Sequence, residues 1–221
     1  MSKSELIVML TQNDFTIPNA LEIFSRCKDT PAHYWGAKEQ GIEKNELKSL
    51  FSAIKAAGKQ TVLEVVAYDE ENCLDGARLA VECGCDLLLG TMYFDSVHRF
   101  CREHNVRYMP FIGDVSERPS VLHGSLESML NSADECVQKG VDGFDLLGYR
   151  YCGDCYQLSC DFVRKSHATV CLAGSINSFD RLKEVKQIAP DFFTIGGAFW
   201  DGSFGEDYVR AIAEVCRYMN H

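Results

Sequence analysis

The sequence predicts an α/β protein folded as a single (β/α)8 TIM barrel with parallel strands. Three observations carry this reading. Short apolar runs alternate with amphipathic stretches along the whole chain, giving eight βα units. Glycine stands between an amphipathic stretch and the next apolar run, as in Gly84-Cys85-Asp86 and Gly140-Val141-Asp142, which suits a helix C-cap leading into a strand. The length of 221 residues lies near the lower end for an eightfold barrel and is ample for one core, so residues 1–221 are expected to form one domain. Alternating units imply a parallel sheet. An open doubly wound sheet is the rival. Its dinucleotide-binding form lacks support, because Leu10-Thr11-Gln12-Asn13-Asp14 follows the first apolar run where a Gly-x-Gly-x-x-Gly turn would stand.

The units follow in order. Strand 1 is read as Glu5–Leu10 with a helix at Ile17–Cys27, and strand 2 as His33–Lys38 with a helix at Glu43–Ala57 ended by Gly58. Strand 3 is Thr61–Tyr68, followed by a helix Glu70–Cys83 that Gly84 caps. Strand 4 is Asp86–Gly90 with Ser96–His104 behind it, and strand 5 is Arg107–Ile112, a long loop and the helix Leu126–Lys139. Strand 6 is Gly143–Leu147, then Gln157–Ser166; strand 7 is Thr169–Ala173, then Phe179–Ile188; strand 8 is Asp191–Ile195, then Glu206–Met219.

Composition narrows the function. Hydrophobic residues make up 46% and charged residues 24%, an ordinary globular balance. The net charge of −10 disfavours nucleic acid and anionic membrane as partners. No apolar run approaches the roughly 18 residues that would suggest a membrane span. Met1-Ser2-Lys3-Ser4-Glu5 shows no apolar leader, so a cytoplasmic location is expected. The 11 cysteines are odd in number, and Cys83, Cys85, Cys136 and Cys171 lie in apolar segments, which suits reduced, buried thiols. Self-association into a homo-oligomer is compatible with this composition.

In a barrel, function gathers at the carboxyl ends of the strands. Strand 7 ends in Ala173-Gly174-Ser175-Ile176, and strand 8 in Gly196-Gly197-Ala198. Glycine lets a ligand approach the backbone, and a helix start offers free N–H groups to an anion. The two turns together would cradle a phosphate without a cation. The plain structural alternative is that the glycines only make tight turns. These motifs resemble those of the phosphate-binding TIM barrel superfamily, which includes ribulose-phosphate epimerase, sugar-phosphate decarboxylases and aldolases, and indole-glycerol-phosphate synthase. Its members usually read Ala-Gly-Gly-Ile after strand 7 and Gly-x-Ala after strand 8. The resemblance implies a small phosphorylated metabolite held by Gly174, Ser175, Gly196, Gly197 and Ala198. Ser175 departs from the second glycine, and Asp201, Glu206 and Asp207 follow strand 8, where inward carboxylates would repel phosphate.

Other candidates come from charge within apolar strands. Lys38 closes strand 2 after Tyr34-Trp35-Gly36-Ala37, where a desolvated lysine can be a Schiff-base nucleophile or a proton donor. Glu64 and Asp145 lie within apolar runs and must be paired or bonded if buried. Lys38, Glu64 and Asp145 are the candidate catalytic groups; the alternative is a structural ion pair. Arg150 and Asp114 are candidate substrate-binding residues. A Schiff-base aldolase of the superfamily usually carries its lysine on strand 6, and strand 6 here has none. No cofactor is required outright, although Glu64, Asp114 and Asp145 could hold Mg²⁺. Cys152-Gly153-Asp154-Cys155, with Cys160 beyond, lacks the second pair that a structural zinc site needs. His98, His104 and His167 read as surface residues, and His123 lies in the long loop after strand 5. Two functions follow: a lyase or isomerase acting on a phosphorylated metabolite, with a sugar phosphate as the expected substrate, or a non-catalytic phospho-ligand regulator resembling the glycerol-3-phosphate-responsive antiterminators.

Overall fold

Aliphatic and aromatic residues crowd the eight apolar runs, and all eight become parallel strands. The computed structural model describes residues 4–220; Met1, Ser2 and Lys3, part of the segment read for a leader, lie outside these. The barrel strands are β1 (Glu5–Met9), β2 (Tyr34–Lys38), β3 (Gln60–Val65), β4 (Leu87–Gly90), β5 (Arg107–Met109), β6 (Phe144–Leu146), β7 (Val170–Leu172) and β8 (Phe192–Ile195). They hydrogen-bond in the order β6-β7-β8-β1-β2-β3-β4-β5. The seam between β5 and β6 is closed by a bridge between Phe111 and Asp145, with Asp145 N–H donating to the Pro110 carbonyl at 2.8 Å. Around them lie α1 (Ala20–Cys27), α2 (Lys44–Ala56), α3 (Glu70–Cys83), α4 (Asp95–Glu103), α5 (Leu126–Lys139), α6 (Cys155–Lys165), α7 (Phe179–Ile188), α8 (Gly197–Trp200) and α9 (Tyr208–Asn220). No helix among the described residues is long and apolar enough to cross a membrane.

Several boundaries differ from the sequence reading, for local reasons. Helix α1 starts at Ala20 rather than Ile17 because a small antiparallel hairpin, Thr11–Gln12 with Phe15–Thr16, comes first. Its turn residues Asn13 and Asp14 both adopt positive φ, 52° and 65°, which these two residue types tolerate better than most. The long loop after β5 holds a second hairpin, Asp114–Ser116 with Val121–His123. Strand β5 stops at Met109 because Pro110 has no N–H to continue the ladder. The four-residue α8 fills the stretch straight after β8, ahead of the final helix.

Strand alternation divides the core in two. Ile7, Met9, Val62, Leu87, Leu89, Met109 and Cys171 fill the inside of the barrel. The opposite faces pack on the helices: Trp35 meets Phe24 of α1 edge-on at 5.1 Å, and Phe144 meets Phe162 of α6 at 6.2 Å. At the amino end of the barrel Tyr34 packs edge-on against Phe192, with ring centroids 5.1 Å apart. Aspartates complete that end. Asp86, Asp142 and Asp191 stand just before β4, β6 and β8, and each accepts a backbone N–H from the neighbouring strand: Thr61 at 2.9 Å, Tyr108 at 2.8 Å and Val170 at 2.9 Å. The Gly84 and Gly140 caps, at φ 73° and 91°, reverse the chain ahead of the first two of these aspartates.

Candidate active site

The carboxyl end opens into a cavity of about 560 Å³. Lys38 and Glu64 are register partners on β2 and β3, so their inward side chains stand side by side. The hairpin after β1 is pinned to the same place. Thr16 Oγ1 accepts the Lys38 N–H at 2.9 Å and donates to the Lys38 carbonyl at 2.8 Å. The positive-φ turn brings Asp14 back over the barrel, where its Oδ1 accepts a hydrogen bond from Lys38 Nζ at 2.7 Å. Glu64 Oε1 lies 3.4 Å from the same nitrogen. The ammonium is thus flanked by two carboxylates, and Lys38 is only 6% exposed.

Electrostatics follow from that geometry. Burial pushes the Lys38 pKa down, but Glu64 and then Asp14 outweigh it and hold the ammonium above its ordinary value. Burial pushes Asp14 up, yet the Lys38 hydrogen bond and charge, with Arg150 and Arg118 beyond, keep its carboxyl below the usual range. Asp145 behaves in the opposite way. It faces into the barrel beneath the cavity, fully buried, and neither carboxyl oxygen has a hydrogen-bond partner. Burial, and then the charge of Glu64, raise its pKa well above the ordinary value, against the pull of Lys38.

The glycine turns form the wall opposite β3 and β4. Gly174 adopts φ 94°, and a Cβ there would come within 2.9 Å of Arg150 Cγ, so the bare glycine gives the arginine stem its place. Gly196 is needed for packing, because a Cβ would lie 2.6 Å from Thr11 Oγ1. Gly197 is not: a Cβ there would meet only Gln12 Cγ, 3.9 Å away. Its backbone lines the cavity with nothing in front of it, and Gly197 and Ala198 open α8, where no carbonyl four residues earlier serves their N–H groups. At the start of helix α7 the Ser178 side chain accepts the Arg181 N–H.

The structure brings Lys38, Glu64, Arg150, Gly174, Ser175, Gly196, Gly197 and Ala198 to one cavity and places Asp145 under its floor. Asp114 is not among the lining residues; it is exposed on the second hairpin, which carries the chain away from the end of β5. The proposed Mg²⁺ set of Glu64, Asp114 and Asp145 is therefore not assembled, and among the described residues no group of three or more potential ligands is placed to hold a metal. Of the three acids after β8, only Asp201 lines the cavity, while Asp207 caps α9 by accepting from Val209 and Arg210 N–H. His98 is buried rather than superficial, 7% exposed, because its ring packs 5.9 Å from Tyr93 and 6.1 Å from Tyr108. All eleven cysteines are free, and Cys152 is exposed while Cys155 and Cys160 are partly so.

Two residues of the site escaped the sequence reading. Asp14 stands at the rim position after strand 1 in the sequence but carries no assigned role there, although Asn13-Asp14 is a hairpin-turn signal. Arg118 reaches in from the second hairpin, where its Nη2 donates to Glu39 Oε1 at 3.0 Å and to the Val66 carbonyl at 2.8 Å. Nothing local in the sequence announces that reach.

No protein-family model and no curated protein matches the sequence. Solved structures do match the fold. Orotidine 5′-phosphate decarboxylase from Pyrococcus horikoshii OT3 superposes with a TM-score of 0.72 at 12% identity, covering 98% of this chain and 99% of that one. Tryptophan synthase from M. tuberculosis gives 0.70 at 13% identity, over 99% of this chain and 93% of that one. N-acetylmannosamine-6-phosphate 2-epimerase from Clostridium perfringens gives 0.65 at 14%, over 89% and 87%. Identities this low establish the fold alone, a (β/α)8 barrel. The three named activities differ from one another, so the site itself must carry the functional argument.

Proposed function

We propose that this chain is an enzyme acting on a small phosphorylated metabolite, of lyase or isomerase type, with the phosphate held by the turns after β7 and β8. The observation that carries the reading is the Lys38 ammonium held between Asp14 and Glu64 in the same cavity as those turns. A sensor needs only the anion site. Here polar side chains from the β1 hairpin, β2, β3 and the β6 loop converge beside it, which favours chemistry over sensing.

The charge state of Lys38 selects among mechanisms. A Schiff-base nucleophile needs a neutral amine, and this lysine is held protonated. An ammonium suits the stabilisation of negative charge on a substrate oxygen or carbon, and the donation of a proton to it. Glu64 stands beside it as the group to accept a proton from carbon. A phosphate anchored on the glycine wall would fix the substrate over this pair. Proton abstraction beside a carbonyl and carbon–carbon cleavage share an enolate-like anion, so one constellation serves isomerase and lyase alike.

The test is a thermal-shift titration with phosphorylated metabolites on the wild type and on Gly197→Val. The wild type should be stabilised by bound ligand. In Gly197→Val the isopropyl group enters open cavity space, so the melting point without ligand should stay close to wild type while the ligand shift is lost. A full ligand shift in Gly197→Val would overturn the cradle.

A further inference from the structure

Three cations line the cavity among the described residues, and they differ in how fully they are engaged. Lys38 is committed to Asp14 and Glu64. Arg118 is committed to Glu39 and the Val66 carbonyl. Arg150 is not committed: its Nη1 reaches the Ser120 carbonyl only at 3.4 Å, and its Nη2 approaches Asp14 Oδ1 only at 3.8 Å. A guanidinium carries five N–H donors, and this one makes a single long hydrogen bond.

Its placement says what it can take. The stem lies against Gly174, while the head lies between the Ser120 carbonyl and Asp14, the carboxylate that grips Lys38. Phosphate on the turns after β7 and β8 would meet the stem at Gly174, and the fork stands next to the Lys38–Asp14 pair. A planar fork of parallel donors matches a carboxylate.

We propose that Arg150 binds a substrate carboxylate, so that the substrate is a phosphorylated carboxylic acid with its acid group next to the carbon that reacts at Lys38. This rests on the reading of the glycine turns as the phosphate site. It adds a second anchor at the other end of the molecule. A carboxylate there would also satisfy the donors that Ser120 and Asp14 leave idle.

The experiment compares two probes that share a phosphate and a three-carbon chain. Glycerol 3-phosphate lacks the acid group, and 3-phosphoglycerate has it. Calorimetric affinities are measured for both on the full chain at one pH and salt concentration, and the readout is their ratio. The wild type should prefer 3-phosphoglycerate by about tenfold or more, the scale of a charge-assisted bond. In Arg150→Met the ratio should fall to about one, and Arg150→Lys, which keeps charge without the fork, should lie between. Equal affinity for both probes in the wild type would overturn the proposal and leave the phosphate site standing. So would a preference that survives in Arg150→Met, including the case where both affinities drop in step because the guanidinium serves the phosphate. If neither probe binds the wild type, the phosphate reading fails and takes this one with it. Should Arg150→Met not fold, the Arg150→Lys ratio decides alone, and an undiminished preference there overturns the proposal.

Discussion

The two ends of this barrel use the same residue types for opposite purposes. At the amino end, Asp86, Asp142 and Asp191 turn their carboxylates onto backbone N–H groups of neighbouring strands, and Tyr34 packs on Phe192. At the carboxyl end, Asp14 and Glu64 turn theirs onto one lysine beside an open cavity, and the Asp145 carboxyl has no hydrogen-bond partner among the described residues. The first arrangement satisfies groups that folding would otherwise strand. The second concentrates charge and leaves an orphaned acid, which folding alone does not reward. On the function proposed above, stability is built below and chemistry above, as barrels in general divide the work.

That contrast can be broken by mutation. The largest expected effect comes from Lys38→Met, which leaves Asp14 and Glu64 facing each other with no cation between them. Urea unfolding at neutral pH should show a loss of about 3 kcal/mol, the lower end for a broken buried pair because the cavity admits water. Turnover of the eventual substrate should fall by about 10²-fold or more. An unaltered rate would remove Lys38 from the chemistry. At the amino end, Asp142→Ala strands the Tyr108 N–H and should cost about 2 kcal/mol while the stabilisation by phosphorylated ligand persists. If ligand stabilisation vanished there too, the division between the ends would be false.

The smallest effects sharpen the comparison within the carboxyl end. Asp14 has a lowered folded pKa, so its contribution is present above the unfolded value of about 4 and is lost as pH falls through the folded one. Asp14→Asn should therefore reduce the steepness of acid destabilisation. Asp145 has the reverse sign. Its folded pKa is raised, so the native state keeps a proton that the unfolded chain releases above about pH 4, and stability declines as pH rises toward the folded value. Asp145→Asn should gain on the wild type as pH is raised from acid to neutral. Denaturation curves across pH that move the same way for both variants would contradict these assignments.

The sequence revealed what is local and missed what depends on the chain meeting itself. The eight units were legible because apolar periodicity and the Gly84 and Gly140 caps act over a few residues. Lys38 and Glu64 stood out as charges inside apolar strands, and adjacent parallel strands placed them together. Asp114 does not line the cavity because it stands at the base of the second hairpin, whose tip, Arg118–Ser120, is the part that returns over the opening. Asp14 depends on a turn that curls back 24 residues from its lysine. His98 was misread because Tyr93 and Tyr108 cover it from two different elements. The clasping role of Asp86 and Asp142 was invisible, although their Gly-x-Asp setting was noticed, since the partner N–H belongs to the strand before.

Thr16 has a consequence for motion. By holding both the N–H and the carbonyl of Lys38, it fastens the β1 hairpin to the main chain of the residue whose side chain Asp14 grips. Lys38 itself lies in a barrel strand whose register with Glu64 is set by the sheet. The hairpin is therefore moored to the rigid wall of the barrel, and the distance between Asp14 and the lysine is set by the main chain as well as by their own hydrogen bond. Replacing Thr16 with valine would remove that mooring, and the hold of Asp14 on the lysine should loosen although both members of the pair remain.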